Sequence, residues 1–168
     1  QHAFALLAQR YPGRVAVHYN LWPQEWADKP WQVGRLSLIG NRLRHGPSTE
    51  PGTALFTLRG AGPLRLTLSD NMAEDRQGQA LPLLADHSKG LAALELVDQP
   101  DVPAGLLIRP AAHLFAELPV AVGARPWDRD ELDAHVLGAM QAGQGRIIDS
   151  EIENPVGPPR VVEPVRQA

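Results

Sequence analysis

Apolar and polar residues alternate most clearly in the middle of the chain, between Gly34 and Ser69. The apolar members of this pattern are Leu36, Leu38, Phe56, Leu58, Leu64, Leu66 and Leu68. Alternation with a period of two predicts strands that bury one face and expose the other. The run before Pro23 has apolar residues at Val15, Val17, Tyr19 and Leu21, and it predicts one more strand of the same kind.

The connections between these strands are short and rich in turn residues. Gly60–Pro63 lies between two of the alternating runs, and Asp86–Gly90 lies between Leu81–Leu84 and Leu91–Val97. Connections of this length and composition are typical of antiparallel hairpins. Further short apolar runs follow at 105–109 and 118–122, and we identify no internal repeat.

Helical periodicity is confined to the two ends of the chain. Apolar residues at helical spacing predict a short amphipathic helix over 2–10. Near the other end, Asp128 is the expected cap of a helix, Glu131 completes a capping box, and Gly143 or Gly145 ends the helix. The predicted fold class is therefore α+β, a mainly antiparallel sheet of hairpins with a short N-terminal helix and a C-terminal helix.

Length and composition are those of one globular domain. The chain has 168 residues, of which 43% are hydrophobic and 21% charged. We expect a single α+β domain over 1–150, followed by a Pro-rich extended tail or linker over 151–168. The tail and the absence of an initiator Met predict a segment of a larger bacterial protein.

Two absences narrow the functional classes. The chain contains no cysteine, which excludes disulfides, thiolate catalysis and Cys-ligated metal sites. No apolar run approaches the roughly 20 residues of a membrane-spanning helix. We therefore predict no membrane association and a cytoplasmic location.

Charge is distributed unevenly along the chain. The net charge is −3, but residues 1–80 carry nine basic and six acidic side chains, and residues 81–168 carry seven basic and thirteen acidic ones. The first half is therefore positive and the second half negative.

No motif in the chain has the spacing of a catalytic site. Ser69-Asp70-Asn71 resembles one element of the serine β-lactamase signature, but the other two elements are missing. Asp86-His87-Ser88 contains the residue types of a hydrolase triad, yet neighbours on a turn point apart, so we interpret it as a polar turn. The six histidines are scattered, which favours no metal site and no cofactor. These observations favour a protein that is not an enzyme.

Two groups of residues are candidates for binding. On the predicted antiparallel sheet the first group shares one basic face that could contact nucleic acid or an acidic partner: Arg35, Arg42, Arg44, Arg59 and Arg65. The second group is a tryptophan segment that could contact a protein partner: Trp22, Trp26 and Trp31. The alternatives are a solvated strand face for the arginines and closure of one end of the core for the tryptophans.

Four short blocks resemble the non-catalytic C-terminal domain of the F-type conjugative relaxase-helicases. The blocks are Gly40–Gly46, Ala54–Gly60, Leu68–Met72 and Gly123–Trp127, in that order. The resemblance implies a recruitment domain that contacts other parts of a DNA-transfer machinery, and it carries over no catalytic residue.

A second resemblance is to the cyclic-dinucleotide-binding PilZ barrels. It rests on Arg10 and Arg14 together with Asp86–Gly90. The leading hypothesis is a non-enzymatic interaction or recruitment domain that binds a protein partner or, through the basic face, nucleic acid. The alternatives are a PilZ-like regulatory module and a small hydrolase whose site is assembled from distant residues.

Overall fold

The computed structural model describes residues 16–22, 25, 28–30, 32–123, 125–145, 150 and 156. Within them the strands are β1 (Val17–Leu21), β2 (Gly34–Ile39), β3 (Arg42–Arg44), β4 (Phe56–Gly60), β5 (Pro63–Ser69), β6 (Met72–Glu74), β7 (Leu84–Asp86) and β8 (Ala93–Leu96). A 3₁₀ turn at Ala111–His113 leads into helix α1 (Leu114–Ala121), and helix α2 spans Glu131–Gln141.

The strands form three separate parallel sheets. The first sheet has the order β1-β4-β7, the second β2-β5-β8, and the third contains β3 and β6. The chain visits the three sheets in turn and then begins the next layer, so that each coil stacks on the coil before it. This arrangement is a parallel β-solenoid, in which each coil contacts its neighbours in the stack.

The predicted antiparallel sheet of hairpins is wrong. Every named strand pair is parallel, and the antiparallel contact among the described residues is one isolated bridge between Glu74 and Ala80. Parallel neighbours require a long connection. Here that connection is the rest of a coil, made of strands in the other sheets, so each strand pairs with a strand one coil away in the sequence.

The two expected hairpin turns are corners between sheets. Gly60–Pro63 connects the first sheet to the second, and so does the segment from β7 to β8 that contains Asp86–Gly90. Gly60 has a φ of 76°, and a Cβ there would collide with the backbone of Leu21 in the coil below. Glycine at this corner therefore permits both the left-handed backbone and close stacking of the coils.

An internal repeat is present, contrary to the expectation from the sequence. In the second sheet Gly34 pairs with Leu64, and in the third sheet Arg42 pairs with Met72, so the partners in each pair are thirty residues apart. The pairing of β5 with β8 has the same spacing. The first sheet does not keep the spacing of thirty, since Val17 pairs with Phe56, which lies further along the chain than thirty residues.

The core lies between the sheets of the solenoid. Its fully buried side chains come from the central coil: Phe56, Leu58, Leu64 and Leu66. Half-buried apolar residues of the coils on either side pack against them, among them Tyr19, Leu36, Leu84 and Leu94. The strands predicted from alternation in β1, β2, β4 and β5 are confirmed. A second, smaller cluster contains Leu43, Leu55 and Ala73.

After β8 the chain returns along the outside of the solenoid. We call residues 97–110 the return segment. The Val97 amide donates to the Leu66 carbonyl of the central coil at 3.0 Å, and the Asp101 amide donates to Ser37 Oγ of the first coil at 3.0 Å. The 3₁₀ turn then begins at Ala111, whose amide donates to Asp70 Oδ2 at 3.0 Å.

The helices differ from the prediction in part. Helix α2 is capped by Asp130, which accepts from the Asp133 amide at 2.8 Å, rather than by Asp128. Its end at Gly143, which has a φ of 65°, is confirmed. The apolar run at 118–122 belongs to α1 and its C-cap, and the predicted helix over 2–10 lies outside the described residues. No helix in the described part of the chain has the length and apolar character needed to cross a membrane.

Candidate interaction surfaces

The five arginines predicted to share one face lie on three sheets. Arg59 is in the first sheet, Arg35 and Arg65 are in the second, and Arg42 and Arg44 are in the third. The single basic face is therefore wrong, because it depended on pairing these strands side by side. The contacts of the three subsets also differ.

Arg42 and Arg44 hold the first helix against the third sheet. Arg42 makes two hydrogen bonds to the Glu74 carboxylate, at 3.0 and 3.2 Å, and a third to the Ala112 carbonyl at 3.3 Å. Its guanidinium also lies 4.3 Å from the centre of the Phe115 ring, and that of Arg44 lies 5.7 Å from it. A guanidinium that contacts both carboxylate oxygens through one nitrogen, and that also lies over an aromatic ring, makes a structural contact.

Arg35 and Arg65 lie in register on the outer face of the second sheet and are both paired with acids. Arg65 Nε is 2.7 Å from Glu95 Oε2, on the next strand of the sheet. Arg35 is 3.6 Å from Asp101 Oδ2 in the return segment. The charge of both arginines is thus balanced locally, which weakens the long-range field that phosphate binding by a basic surface uses.

A groove of about 430 Å³ separates the return segment from the second sheet. Its lining is mixed in charge: Arg35, Leu36, Ser37, Arg65, Thr67, Glu95, Val97, Gln99, Pro100 and Asp101. The Thr67 hydroxyl spans it by donating to the Gln99 carbonyl at 3.3 Å. None of the described residues that line this groove is a histidine, so it does not bring together the histidine and carboxylate expected of the hydrolase alternative.

The remaining candidates are Arg59 and the tryptophans. Arg59 is exposed on the first sheet, in register with Asn20. Trp22 follows β1 and is 39% exposed, whereas Trp26 and Trp31 lie outside the described residues. Of the three tryptophans in the predicted segment, the structure therefore describes Trp22 alone.

The last coil leaves part of the apolar column of the solenoid uncovered. Leu36, Leu66 and Leu96 occupy equivalent, inward-facing positions of successive strands in the second sheet. Leu66 is completely buried between its neighbours, but Leu96 is 63% exposed. The return segment turns away along the outside instead of crossing this column. We call this surface, formed by β7 and β8 with Leu96, the open end.

The backbone of the open end is also unpaired on one side. Strands β7 and β8 pair with β4 and β5, and within the described residues no further strand pairs with either of them. Parallel strands in the interior of a stack pair on both sides, so an edge of this kind presents free amide and carbonyl groups. Asp86 and Glu95 place carboxylates at this edge.

Asp86-His87-Ser88 forms the expected polar turn. The Ser88 amide donates to Asp86 Oδ1 at 2.8 Å. The nearby Ser88 hydroxyl and the hydrogen bond from the Ser88 amide lower the pKa of Asp86, with a smaller effect from His87. The described residues contain no group of three or more side chains placed to hold a metal ion.

Comparison with known proteins identifies no relative, since no family profile, curated protein or solved structure matches the chain. The resemblance to the conjugative relaxase-helicases therefore stays a prediction. For the PilZ resemblance, Arg10 and Arg14 lie outside the described residues, and the described strands form three open sheets rather than a barrel.

Sequence reasoning missed the residues of the open end. Glu95 and Leu96 were part of an expected hairpin, and nothing in the local pattern separates them from interior residues. The signal that identifies them is the spacing of thirty, which aligns Leu96 with Leu66 and Leu36.

Proposed function

We propose that this chain is a non-catalytic protein-interaction module whose binding surface is the open end of the solenoid. The observation that carries the proposal is the exposure of Leu96 in a column where the equivalent Leu66 is completely buried. An apolar core position beside an unpaired parallel edge fits a partner that adds a strand to the sheet. The backbone of the partner would supply affinity, and its alternating side chains would supply specificity.

A protein partner is favoured over nucleic acid by the arrangement of the arginines. They are divided among three sheets, and Arg35, Arg42, Arg44 and Arg65 have acidic partners. A recruitment role in conjugative DNA transfer belongs to the same proposal and rests on the resemblance to the relaxase-helicases. A cytoplasmic location also belongs to it and rests on the absence of a long apolar run in the sequence.

A labelled strand peptide tests whether the open end accepts a strand. The probe is a synthetic peptide of residues 33–46, which contains the alternating apolar and polar residues of β2. The peptide is titrated with the protein, and binding is followed by fluorescence anisotropy. We expect saturable binding to the wild type and at least about tenfold weaker binding to Leu96→Asp, because the charge would lie in the apolar column.

The matched controls separate strand addition from unspecific apolar contact. Leu107→Asp changes a leucine that is 85% exposed in the return segment, away from the open end, and should bind the peptide as the wild type does. A peptide of the same composition with its apolar residues grouped at one end should not bind. Equal binding to the wild type and Leu96→Asp, or no binding to either, would overturn the proposal.

A further inference from the structure

We infer that the partner at the open end is a second copy of this chain, which stacks its first coil on the last coil of the copy before it. The inference rests on the proposed function, because it names the occupant of the same surface. It is carried by the register of the coils and by the charges at the two ends of the solenoid.

Strand direction selects which part of a second copy can continue the stack. Successive coils of the solenoid are parallel and in register. A further coil that keeps this geometry must run in the same direction, and the first coil of a second copy does so when the two copies are arranged head to tail. A two-fold arrangement of two open ends would instead make the strands antiparallel.

The apolar positions match when the spacing of thirty is continued across the contact. Leu96 then pairs with Leu36 of the second copy, as Leu66 already pairs with Leu36 within one copy. In the first sheet the same stacking brings Val17 of the second copy over Leu84, two positions that both pair with Phe56 within one copy. The exposed column at the open end is thereby covered by residues of the kind that cover it in the interior.

The charges match in the same register. Glu95 at the open end would pair with Arg35 of the second copy, and Glu95 already forms a 2.7 Å ion pair with Arg65, the residue in register with Arg35. The Arg35 side chain is 62% exposed in the single copy and lies 3.6 Å from Asp101, so Glu95 of the preceding copy would join an exposed ion pair that already exists. Two open ends facing each other would bring together the acidic edges that contain Asp86 and Glu95, so charge favours head-to-tail stacking.

Head-to-tail contacts of this kind do not close on themselves. Each copy that joins leaves a new open end, so the expected product is a series of oligomers whose length increases with concentration rather than a dimer. Because Glu95 and Arg35 are exposed and charged, the contribution of their ion pair to association should weaken as salt rises.

Charge reversal at the two ends gives a direct test. Glu95→Arg alone brings two arginine side chains together across the contact, and Arg35→Glu alone brings two glutamate side chains together there. We expect each variant to associate at least about tenfold more weakly than the wild type in sedimentation velocity. An equimolar mixture should recover association, because each contact between the two different variants pairs an acid with an arginine.

Two controls accompany the mixing experiment. Arg59→Glu reverses an exposed charge in the central coil, away from either end, and should associate as the wild type does. Circular dichroism melting of each variant establishes that it is folded. Monomers at every concentration up to about 1 mM, or weak association of the mixture despite folded variants, would overturn the inference.

The absence of native cysteine permits a second measurement of orientation. Adjacent parallel strands bring paired Cα atoms within the range that a disulfide requires. We expect Glu95→Cys and Arg35→Cys to cross-link when mixed, and neither to cross-link well alone. Efficient cross-linking of Glu95→Cys with itself would indicate two open ends in contact and would contradict head-to-tail stacking.

The peptide experiment and the mixing experiment test different hypotheses, so a negative result in one can be distinguished from a negative result in the other. Peptide 33–46 tests the open end without requiring the first coil of an intact copy to be accessible. If the peptide binds but intact copies do not associate, the proposed function stands and the second copy is not the partner. If neither binds, both the proposed function and the inference are overturned.

Discussion

The side chain of Asn71, in the central coil, is hydrogen-bonded to Asn41 at the equivalent position of the first coil and so joins the two coils. Asn71 Oδ1 accepts from both the backbone amide and the Nδ2 of Asn41, each at 3.0 Å. Its own Nδ2 donates to the Leu38 carbonyl at 2.7 Å. The partial match to a β-lactamase motif at Ser69-Asp70-Asn71 thus coincides with a stacked pair of asparagines at the corner between the second and third sheets.

Removing this amide should destabilise the stack. Asn71→Ala removes the three hydrogen bonds that its side chain makes, and we expect the free energy of unfolding to fall by about 1–3 kcal/mol. Urea denaturation monitored by circular dichroism measures the change. Asn20→Ala, at an exposed position of β1, should change the stability by no more than about 0.5 kcal/mol. Similar losses for the two variants would contradict a special role for Asn71.

The two leucines of one column should respond very differently to truncation. Leu66→Ala leaves a cavity in the core and should cost about 2–5 kcal/mol. Leu96→Ala shortens a side chain that is mostly exposed, so the cost should stay below about 1 kcal/mol. Urea denaturation at a low protein concentration, where association is weakest, makes the comparison. Equal costs would argue against the solenoid register that places Leu96 at an end.

Arg42 should be more sensitive than Arg59 to replacement by lysine. Lysine keeps the charge but loses the planar fork that contacts Glu74 and Ala112 together. We expect Arg42→Lys to cost about 1–3 kcal/mol and to speed hydrogen exchange in α1. Arg59→Lys, an exposed change in the first sheet, should leave both quantities near the wild-type value. Unchanged exchange in α1 would show that Arg42 does not hold the helix.

The Ser88 hydroxyl and amide beside Asp86 give this carboxyl a predictable pH response. They lower its pKa below the ordinary 3.8, so the stabilisation is present above 3.8 and is lost as the pH falls through the pKa of the folded state. An NMR titration of the Asp86 carboxyl should find this lowered pKa. Ser88→Ala should raise the pKa towards 3.8, whereas His87→Gln should change it less, because the charge of His87 is the smallest of these effects. A larger shift in His87→Gln would contradict this order.

The sequence alone was sufficient to predict β1, β2, β4 and β5 and the apolar face that each of them buries. Alternation in β2, β4 and β5 depends on neighbouring residues, and a strand buries alternate side chains whichever strand it pairs with. For this reason Leu64 and Leu66 could be assigned to the core before their neighbours were known. The same holds for the end of α2, which glycine at Gly143 terminates by local backbone geometry.

Pairing was decided by the tertiary structure. Gly60–Pro63 has the composition of a hairpin turn, but a corner between two sheets needs the same left-handed glycine, so local chemistry cannot distinguish the two. The partner of each strand in the second sheet lies thirty residues away, and that choice depends on how whole coils stack.

The candidate binding surfaces also depend on how the strands pair, which the local sequence does not specify. The basic face predicted from the sequence required the arginine-bearing strands to be neighbours, whereas stacking of coils assigns Arg59, Arg65 and Arg42 to three different sheets. Leu96 has the sequence character of a core residue and is exposed because the described stack ends with its coil. Which side chains a strand can bury is a local property that the sequence specifies, whereas the stacking of whole coils selects which of those side chains have a neighbour.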